Sequence, residues 1–300
     1  MAISDCNTNT DHTGKELVEH GTTAFPVACY HDNFREGSVP WHWHDELEAV
    51  VAIRGDTFVK TSIGTIRVPE GDGFFLNTGV LHACIPIESS SACEYHSIVF
   101  HARLVGGSTD SVFWQKYLSP LLKGCTHAPL LLTQSVPWQN NCLSAIEAAW
   151  TLCHREPAGY EFEIRNQLSQ LIFLLAQNLE LSEGMMSNTD RRKEDRIKTM
   201  IGFIQEHYKE DIRTIHIADS VAISESECLR CFQKLIGTTP NRYLKEYRLS
   251  RAEELLSTTG LKITEIGERC GFQEMSYFAK AFREKYGVTP SAYRREESIP

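Results

Sequence analysis

Residues 224–243 read SESECLRCFQKLIGTTPNRY, and residues 274–293 read EMSYFAKAFREKYGVTPSAY. Phe232, Gly237, Thr239, Pro240 and Tyr243 return 50 residues later as Phe282, Gly287, Thr289, Pro290 and Tyr293. Ser226 is matched by Ser276, and the charge of Arg230 by Lys280. A solenoid needs at least three units, so two copies imply a duplicated supersecondary unit. Local chemistry predicts its form. Ser224 and Glu227 have capping-box spacing at a helix start. Cys228, Cys231, Phe232 and Leu235 follow at helical spacing as an inward stripe. Gly237 suits a left-handed C-cap, and Pro240 the first turn of the next helix. A short apolar-periodic helix over 214–221 precedes. Helix, tight turn and capped helix make a helix-turn-helix. The second copy predicts a helix over 263–270, a turn at Gly271-Phe272 and a helix over 275–286 that buries Phe278, Ala281, Phe282 and Tyr286. Residues 241–257 read as one long amphipathic helix that spaces the two units.

From about residue 196 to 295 the chain resembles the DNA-binding domain of AraC/XylS-type transcriptional regulators. The first half carries this in Phe232, Gly237, Pro240, Tyr243, Arg248, Ala252, Leu255 and Leu256. The second carries it in Ile266, Gly271-Phe272, Ser276-Tyr277-Phe278, Phe282, Tyr286-Gly287, Thr289-Pro290 and Tyr293-Arg294. The resemblance implies that both recognition helices enter successive major grooves of double-stranded DNA. The candidate contacts on the first are Ser226, Leu229, Arg230 and Gln233. Those on the second are Met275, Ser276, Ala279, Lys280 and Arg283. Arg230 can pair bidentately with guanine O6 and N7, Ser226 and Gln233 can bond bases or phosphates, and Leu229 can pack on a thymine methyl. Lys280 reads guanine or neutralises phosphate, and Arg283 is read as a phosphate contact. Cys228 and Cys231 form a C-x2-C pair with no second pair to complete a metal site, so they are read as buried hydrophobes.

Working outward, residues 21–105 show short strand-like runs broken by turns, as expected of an antiparallel barrel or sandwich. His42-Trp43-His44-x3-Glu48-x6-Gly55 is similar to the first cupin motif, and Pro69-Glu70-Gly71-Asp72 followed by His82 to the second. The glycine expected before the first motif is one residue off register at Gly37. In metal cupins the matching residues, His42, His44, Glu48 and His82, ligate a metal. His42 and His44 alternate onto one side of a strand, as a chelate needs. Iron, manganese, nickel or zinc suit three imidazoles and a carboxylate. Regulators of this type also keep such residues as polar anchors for an organic effector, and a structural role is the third reading. Trp41, Trp43, Phe58, Phe74, Phe75 and Tyr95 are candidates for an apolar pocket wall or for plain core.

Residues 106–181 are mostly helical in pattern. One stripe is Ala145, Ile146, Ala149, Trp150 and Cys153. Another is Leu168, Leu171, Ile172, Leu175 and Leu179, close to a heptad seam and widened by Phe173 and Leu174. The resemblance implies that such helices form a homodimer interface; an ordinary core helix is the alternative.

The chain has 300 residues, 30 Lys+Arg, 39 Asp+Glu and a net charge of −9. A charge of −9 by itself argues against nucleic acid. The sum hides two unlike halves. Residues 1–189 hold 10 basic and 21 acidic side chains, and residues 190–300 hold 20 and 18. No apolar run approaches the roughly 20 residues of a membrane span, and the polar N-terminus lacks a signal-peptide core. Ten cysteines without an export signal read as reduced thiols in a cytoplasm.

The expected architecture is α+β and multidomain. A flexible tail (1–20) precedes an antiparallel jelly-roll, cupin-like sensor domain (21–105) and a helical dimerisation or packing region (106–181). A linker (182–193) joins these to an all-α domain with two helix-turn-helix units (194–300). The expected function is a DNA-binding transcriptional regulator, not an enzyme, that answers a small-molecule effector at His42, His44, Glu48 and His82. Its expected partners are DNA, that effector, a second copy and, for an activator, RNA polymerase, with no membrane. No catalytic residue and no cofactor are assigned. The rival is a metal-dependent cupin enzyme or metal sensor with a DNA-binding tail, built on the same four residues.

Overall fold

A computed structural model describes residues 10, 15–34, 39–87, 93–124, 128–179 and 188–297. The chain divides into two units, Lys15–Glu194 and Asp195–Pro300, with the short stretches before Lys15 assigned between them.

In the first unit, β1 (Val27–Phe34), β3 (Leu47–Arg54), β6 (Gly73–Leu76), β8 (Cys93–Phe100) and β9 (Leu130–Leu132) form one antiparallel sheet in the order β1-β8-β3-β6-β9. β2 (Val39–His42), β4 (Thr57–Thr61), β5 (Gly64–Val68) and β7 (His82–Pro86) form the other, in the order β2-β7-β4-β5. Val39, Val59 and Cys84 of the second sheet share a core with Val50, Phe74 and Tyr95 of the first, so the sheets face each other as in a cupin-like sandwich.

Helices cover the outer face of the five-stranded sheet. These are α1 (Arg103–Gly106), a π-helical turn (Trp114–Leu118) leading into α2 (Ser119–Gly124), α3 (Pro137–Arg155) and α4 (Tyr160–Asn178). Ala49, Val51 and Ile98 pack there with Ile146, Ala149 and Leu168. Covered on both faces, β3 is buried from Leu47 to Ala52 with no alternation.

Four details differ from expectation. Region 106–181 is mostly helical, but it also supplies a strand, because Leu130–Leu132 pairs with β6 and extends the sheet. Leu168, Leu171, Ile172 and Leu175 are buried within this unit's own core, and it is Phe173 that faces out. Residues 15–20 are no flexible tail. Lys15 bridges Trp43 in parallel, the Glu16 amide donates to the Trp43 carbonyl at 2.8 Å, and Glu16 and His20 are buried. The rest of the expected tail, except Thr10, lies outside the described residues, as do linker residues 182–187. The linker's last six residues are helical instead, since α5 spans Asn188–His207. Its polar first turns disguise a helix whose later residues Ile197, Met200, Ile201 and Ile204 are fully buried.

In the second unit the elements fall close to their expected places: α6 (Thr214–Asp219), α7 (Glu225–Cys231), α8 (Pro240–Thr258), α9 (Ile263–Arg269), α10 (Met275–Tyr286) and α11 (Pro290–Glu297). Half the predicted capping box forms. Ser224 Oγ accepts from the Glu227 amide at 3.2 Å, while the Glu227 carboxylate turns to Arg230. Phe232–Ile236 is a π-helical turn, which advances the inward position by one residue. Ile236 is therefore buried and Leu235 only half-buried. Gly237 ends the turn at φ +77°. Helix α8 serves both units in succession. Tyr243 stands 6.0 Å from Phe232, whereas Leu249, Ala252 and Leu256 join the core of Phe278 and Phe282.

Candidate functional site

The two recognition helices present equivalent faces. On α7 and its continuation, Ser226, Leu229, Arg230 and Gln233 are exposed at i, i+3, i+4 and i+7. On α10 the positions 50 residues on are Ser276, Ala279, Lys280 and Arg283, of which Ala279 is half-buried and the rest exposed. Opposite them, Cys228, Cys231 and Phe232, then Phe278, Ala281 and Phe282, anchor each helix in its core. Leu229 is an aliphatic side chain 42% exposed, which a face meant only for water does not favour. Two details were not legible. Arg230 is ion-paired with Glu227 on its own helix, so it must leave that carboxylate to meet a base. Met275 is half-buried and packs with Phe278 and Ile266, lying over Gly267, where a Cβ would come within 2.7 Å of its sulfur. Its place is in the seam between α9 and α10 rather than on the open face. Tyr277, which the pattern did not single out as a contact, is 50% exposed beside Lys245, whose ammonium lies 6.0 Å from its ring.

Between the sheets of the first unit lies a second site. His42 ends β2 and pairs across to His82 at the start of β7. His44 follows β2 in the turn to β3, just past the strand, yet the alternation still sends it to the same cavity. Glu48 comes from β3. The imidazoles of His42, His44 and His82 are buried, with one ring nitrogen from each within 4.8 Å of the others. Each Nδ1 is engaged by a main-chain carbonyl: Pro40 at 2.9 Å, Glu46 at 3.1 Å and Val80 at 2.8 Å. That fixes Nδ1–H and turns each Nε2 lone pair inward, the orientation that metal-bound histidines adopt.

Glu48 Oε2 lies 3.0 Å from His82 Nε2 and 3.5 Å from His44 Nε2, and Ser97 Oγ donates to Oε1 at 3.2 Å. Yet His44 Nε2, His82 Nε2 and Glu48 Oε2 face one another without the alignment of a hydrogen bond. Such buried polar atoms are costly unless something else engages them. Two donors bound at about 2.0–2.2 Å stand at most about 4.4 Å apart, so these separations suit one ion after a slight contraction of the imidazoles. The residues fit a metal.

Electrostatics agree with that donor set for His42 and Glu48, whereas His82 is held toward its charged form by Glu48 and would give up its Nε2 proton on binding a metal. Burial and the neighbouring His82 push His42 down to about 3, which keeps its imidazole neutral and able to donate. Burial alone would raise the Glu48 carboxyl, but His82 and His44 hold it well below the usual range, as an anion. Burial opposes charge on His82, and Glu48 overcomes this and raises it. The cavity is small, about 20 Å³, room for about one water. Of the six aromatics considered for its wall, Phe74 and Tyr95 line it, while Phe75 packs toward the helices. Glu16 and His20 also line it, and the sequence pattern did not suggest them. Their one signal, Glu16-x3-His20, sits in a segment whose polarity reads as solvated tail.

A sandwich holding a buried polar cavity, with a separate domain carrying two exposed recognition helices, defines a ligand-binding transcriptional regulator. Residues 25–138 match the family model of the AraC-like ligand binding domain, and residues 217–296 match that of a helix-turn-helix domain. The chain is 31% identical over 293 residues to the uncharacterized HTH-type transcriptional regulator YdeC of Bacillus subtilis (strain 168), covering 96% of this chain and 98% of that one. It is 26% identical over 163 residues to the HTH-type transcriptional activator RhaS of Citrobacter koseri, 53% of this chain and 57% of the relative. Among solved structures, an AraC-type DNA-binding-domain regulator from Chromobacterium violaceum aligns at 29% identity and a TM-score of 0.35, over 37% of this chain and 98% of that one. The chain belongs to the AraC family of transcriptional regulators. Its relatives are regulators, and among the described residues no helix is long and apolar enough to cross a membrane.

Proposed function

We propose that the ligand read by the N-terminal domain is a divalent transition-metal ion, held by His42, His44, His82 and Glu48. One observation carries this reading: three buried imidazoles are fixed by main-chain carbonyls so that their Nε2 atoms converge beside the buried Glu48 carboxylate. Three nitrogens and one oxygen suit zinc, iron(II), nickel or manganese. When bound, the ion supplies positive charge that offsets the buried carboxylate. The chain's own residues orient the donors through Nδ1 and exclude all but about one water.

Regulation follows if the ion binds one arrangement of the protein more tightly than another. DNA is read by Ser226, Leu229, Arg230 and Gln233 on α7 and by Ser276, Ala279, Lys280 and Arg283 on α10. Met275 supports the second helix from behind. Helix α8 has 19 residues and is about 28 Å long at 1.5 Å per residue, a spacer comparable with the roughly 34 Å between successive major grooves. Phe162, 73% exposed, and Phe173, 42% exposed, on α4 support a second copy as partner. A cytoplasmic regulator that contacts RNA polymerase when it activates completes the reading.

The test is the metal content of protein purified without chelator, followed by operator binding before and after chelation. Near-stoichiometric metal, and an affinity that changes on removal and returns on reloading, is the expected result. Metal-free protein that gains no affinity for added ions returns the site to an organic effector.

A further inference from the structure

We propose that Glu16 is a fifth protein ligand of this centre, so that the site closes around the ion and reads the ion itself rather than a substrate bound to it. The inference rests on the metal reading above and adds to it a residue that lies outside the barrel strands. Glu16 reaches the cavity because its segment is stitched to the stretch that carries two of the imidazoles. Lys15 bridges Trp43, and the Glu16 amide donates to the Trp43 carbonyl, between His42 and His44. The carboxylate is buried, and its Oε2 lies 3.9 Å from His42 Nε2. That separation is inside the limit of about 4.4 Å for two donors on one ion, while the donor atoms that already lie within 4.8 Å of one another are those of His42, His44 and His82, so ligation requires the Glu16 carboxylate to move toward the other two imidazoles.

His20 pairs with the carboxylate. Its Nδ1 contacts the Tyr30 hydroxyl at 2.8 Å, and its Nε2 stands 3.2 Å from Glu16 Oε2 without the alignment of a hydrogen bond. His20 is thus a positioning residue, of the kind that sets the orientation of a ligating carboxylate. Glu16 and Glu48 approach the imidazoles from different elements and place two buried carboxylates in one cavity. A divalent cation is the partner whose charge equals theirs. Catalytic metal sites keep a position open for water or substrate, whereas closed ones fill it with protein. Three converging imidazoles and two buried carboxylates lining a cavity of about 20 Å³ leave little room for a substrate and point to the closed kind.

Co2+ is the probe, because its visible d–d bands strengthen as coordination number falls. The full-length protein is titrated with Co2+ alongside Glu16→Gln and His82→Ala. Wild type is expected to bind one ion. Glu16→Gln, isosteric and uncharged, should bind about 10- to 100-fold more weakly with a stronger visible band, the scale typical of perturbing a metal's ligand environment. Binding within twofold of wild type and an unchanged spectrum in Glu16→Gln, with binding lost in His82→Ala, would overturn the role of Glu16 alone. Wild-type affinity in His82→Ala would overturn the metal centre itself. A second measurement needs no variant. Saturating Co2+ should slow tryptic cleavage of the unaltered chain at the Lys15–Glu16 bond by at least about tenfold, followed by mass spectrometry. An unchanged rate counts against ligation by Glu16.

Discussion

Arg230 shows how one side chain can be poised for two partners. It is exposed on the open face of α7, and its guanidinium rests on Glu227 one turn earlier. An exposed pair of this kind is worth little in water, so exchanging it for a guanine edge or a phosphate is cheap. Arg230→Ala is expected to cost about 1–3 kcal/mol of operator affinity and to relax the preference at one base pair, measured by anisotropy titration over a set of single-base operator variants. Uniform weakening across the set would make Arg230 a phosphate contact instead. Cys228 and Cys231 make the opposite case. Burial, helped by its neighbour Cys231, pushes the Cys228 thiol up to about 11, and burial likewise raises Cys231. Thiolate is the reactive form, so iodoacetamide should label this pair slowly at pH 7–8 in native protein. Labelling should rise as pH climbs toward 11 or as the chain unfolds. Rapid labelling of native protein at pH 7 would contradict the buried-hydrophobe reading.

At the scale of the element, the two helix-turn-helix units obey one pattern through different turns. The 50-residue repeat holds along the recognition helices and breaks at the tight turn. The left-handed residue is Ala222 (φ 53°) in the first unit and Gly271 (φ 80°) in the second. Gly271 also lies against main chain, and a Cβ there would come within 2.5 Å of the Tyr208 carbonyl oxygen. That carbonyl already accepts from Arg248 Nε at 2.6 Å and is not free to move. Gly271→Ala is therefore expected to destabilise the second unit by about 1–2 kcal/mol from its left-handed backbone, with the contact in addition. Gly237→Ala meets open space and should cost only about 1–2 kcal/mol. Thermal denaturation of the two variants would rank them, and equal losses would remove the role given to the Tyr208 contact. The elements around the barrel were less legible. Leu130–Leu132 reads as part of a helical region because a three-residue strand has no period to detect. The near-heptad leucines of α4 are matched by an internal partner, since a helix packed on a sheet needs the same stripe as a helix packed on a helix.

For the whole molecule, the charge is the property most altered by knowing the fold. The net −9 belongs mainly to the sensing half, and the DNA-binding half is close to neutral. Its reading faces carry Arg230, Lys280 and Arg283, with Arg230 already shared with Glu227. Few phosphates can be neutralised, so a plot of log affinity against log salt should have a slope of about −3 to −5 per chain, as for three to six phosphates. A slope near −10, or tight non-specific binding at high salt, would require a basic surface beyond these residues.

The sequence by itself determined the duplicated helix-turn-helix, down to the N-cap at Ser224, the C-cap at Gly237 and the inward Phe232 and Phe282. Those features arise from contacts within one or two turns of chain, and local periodicity and capping record such contacts faithfully. It also marked His42, His44, Glu48 and His82 as one set. Tertiary structure alone decided what that set can hold. The inward direction of each Nε2 depends on which carbonyl takes Nδ1, and the cavity's size depends on how two sheets close on Phe74 and Tyr95. The presence of Glu16 and His20 depends on long-range ties, among them the bridge between Lys15 and Trp43, 28 residues apart, and the contact of His20 with Tyr30. A carboxylate that will be buried looks the same in a sequence as one that will be solvated, because the difference lies in what the rest of the chain folds around it.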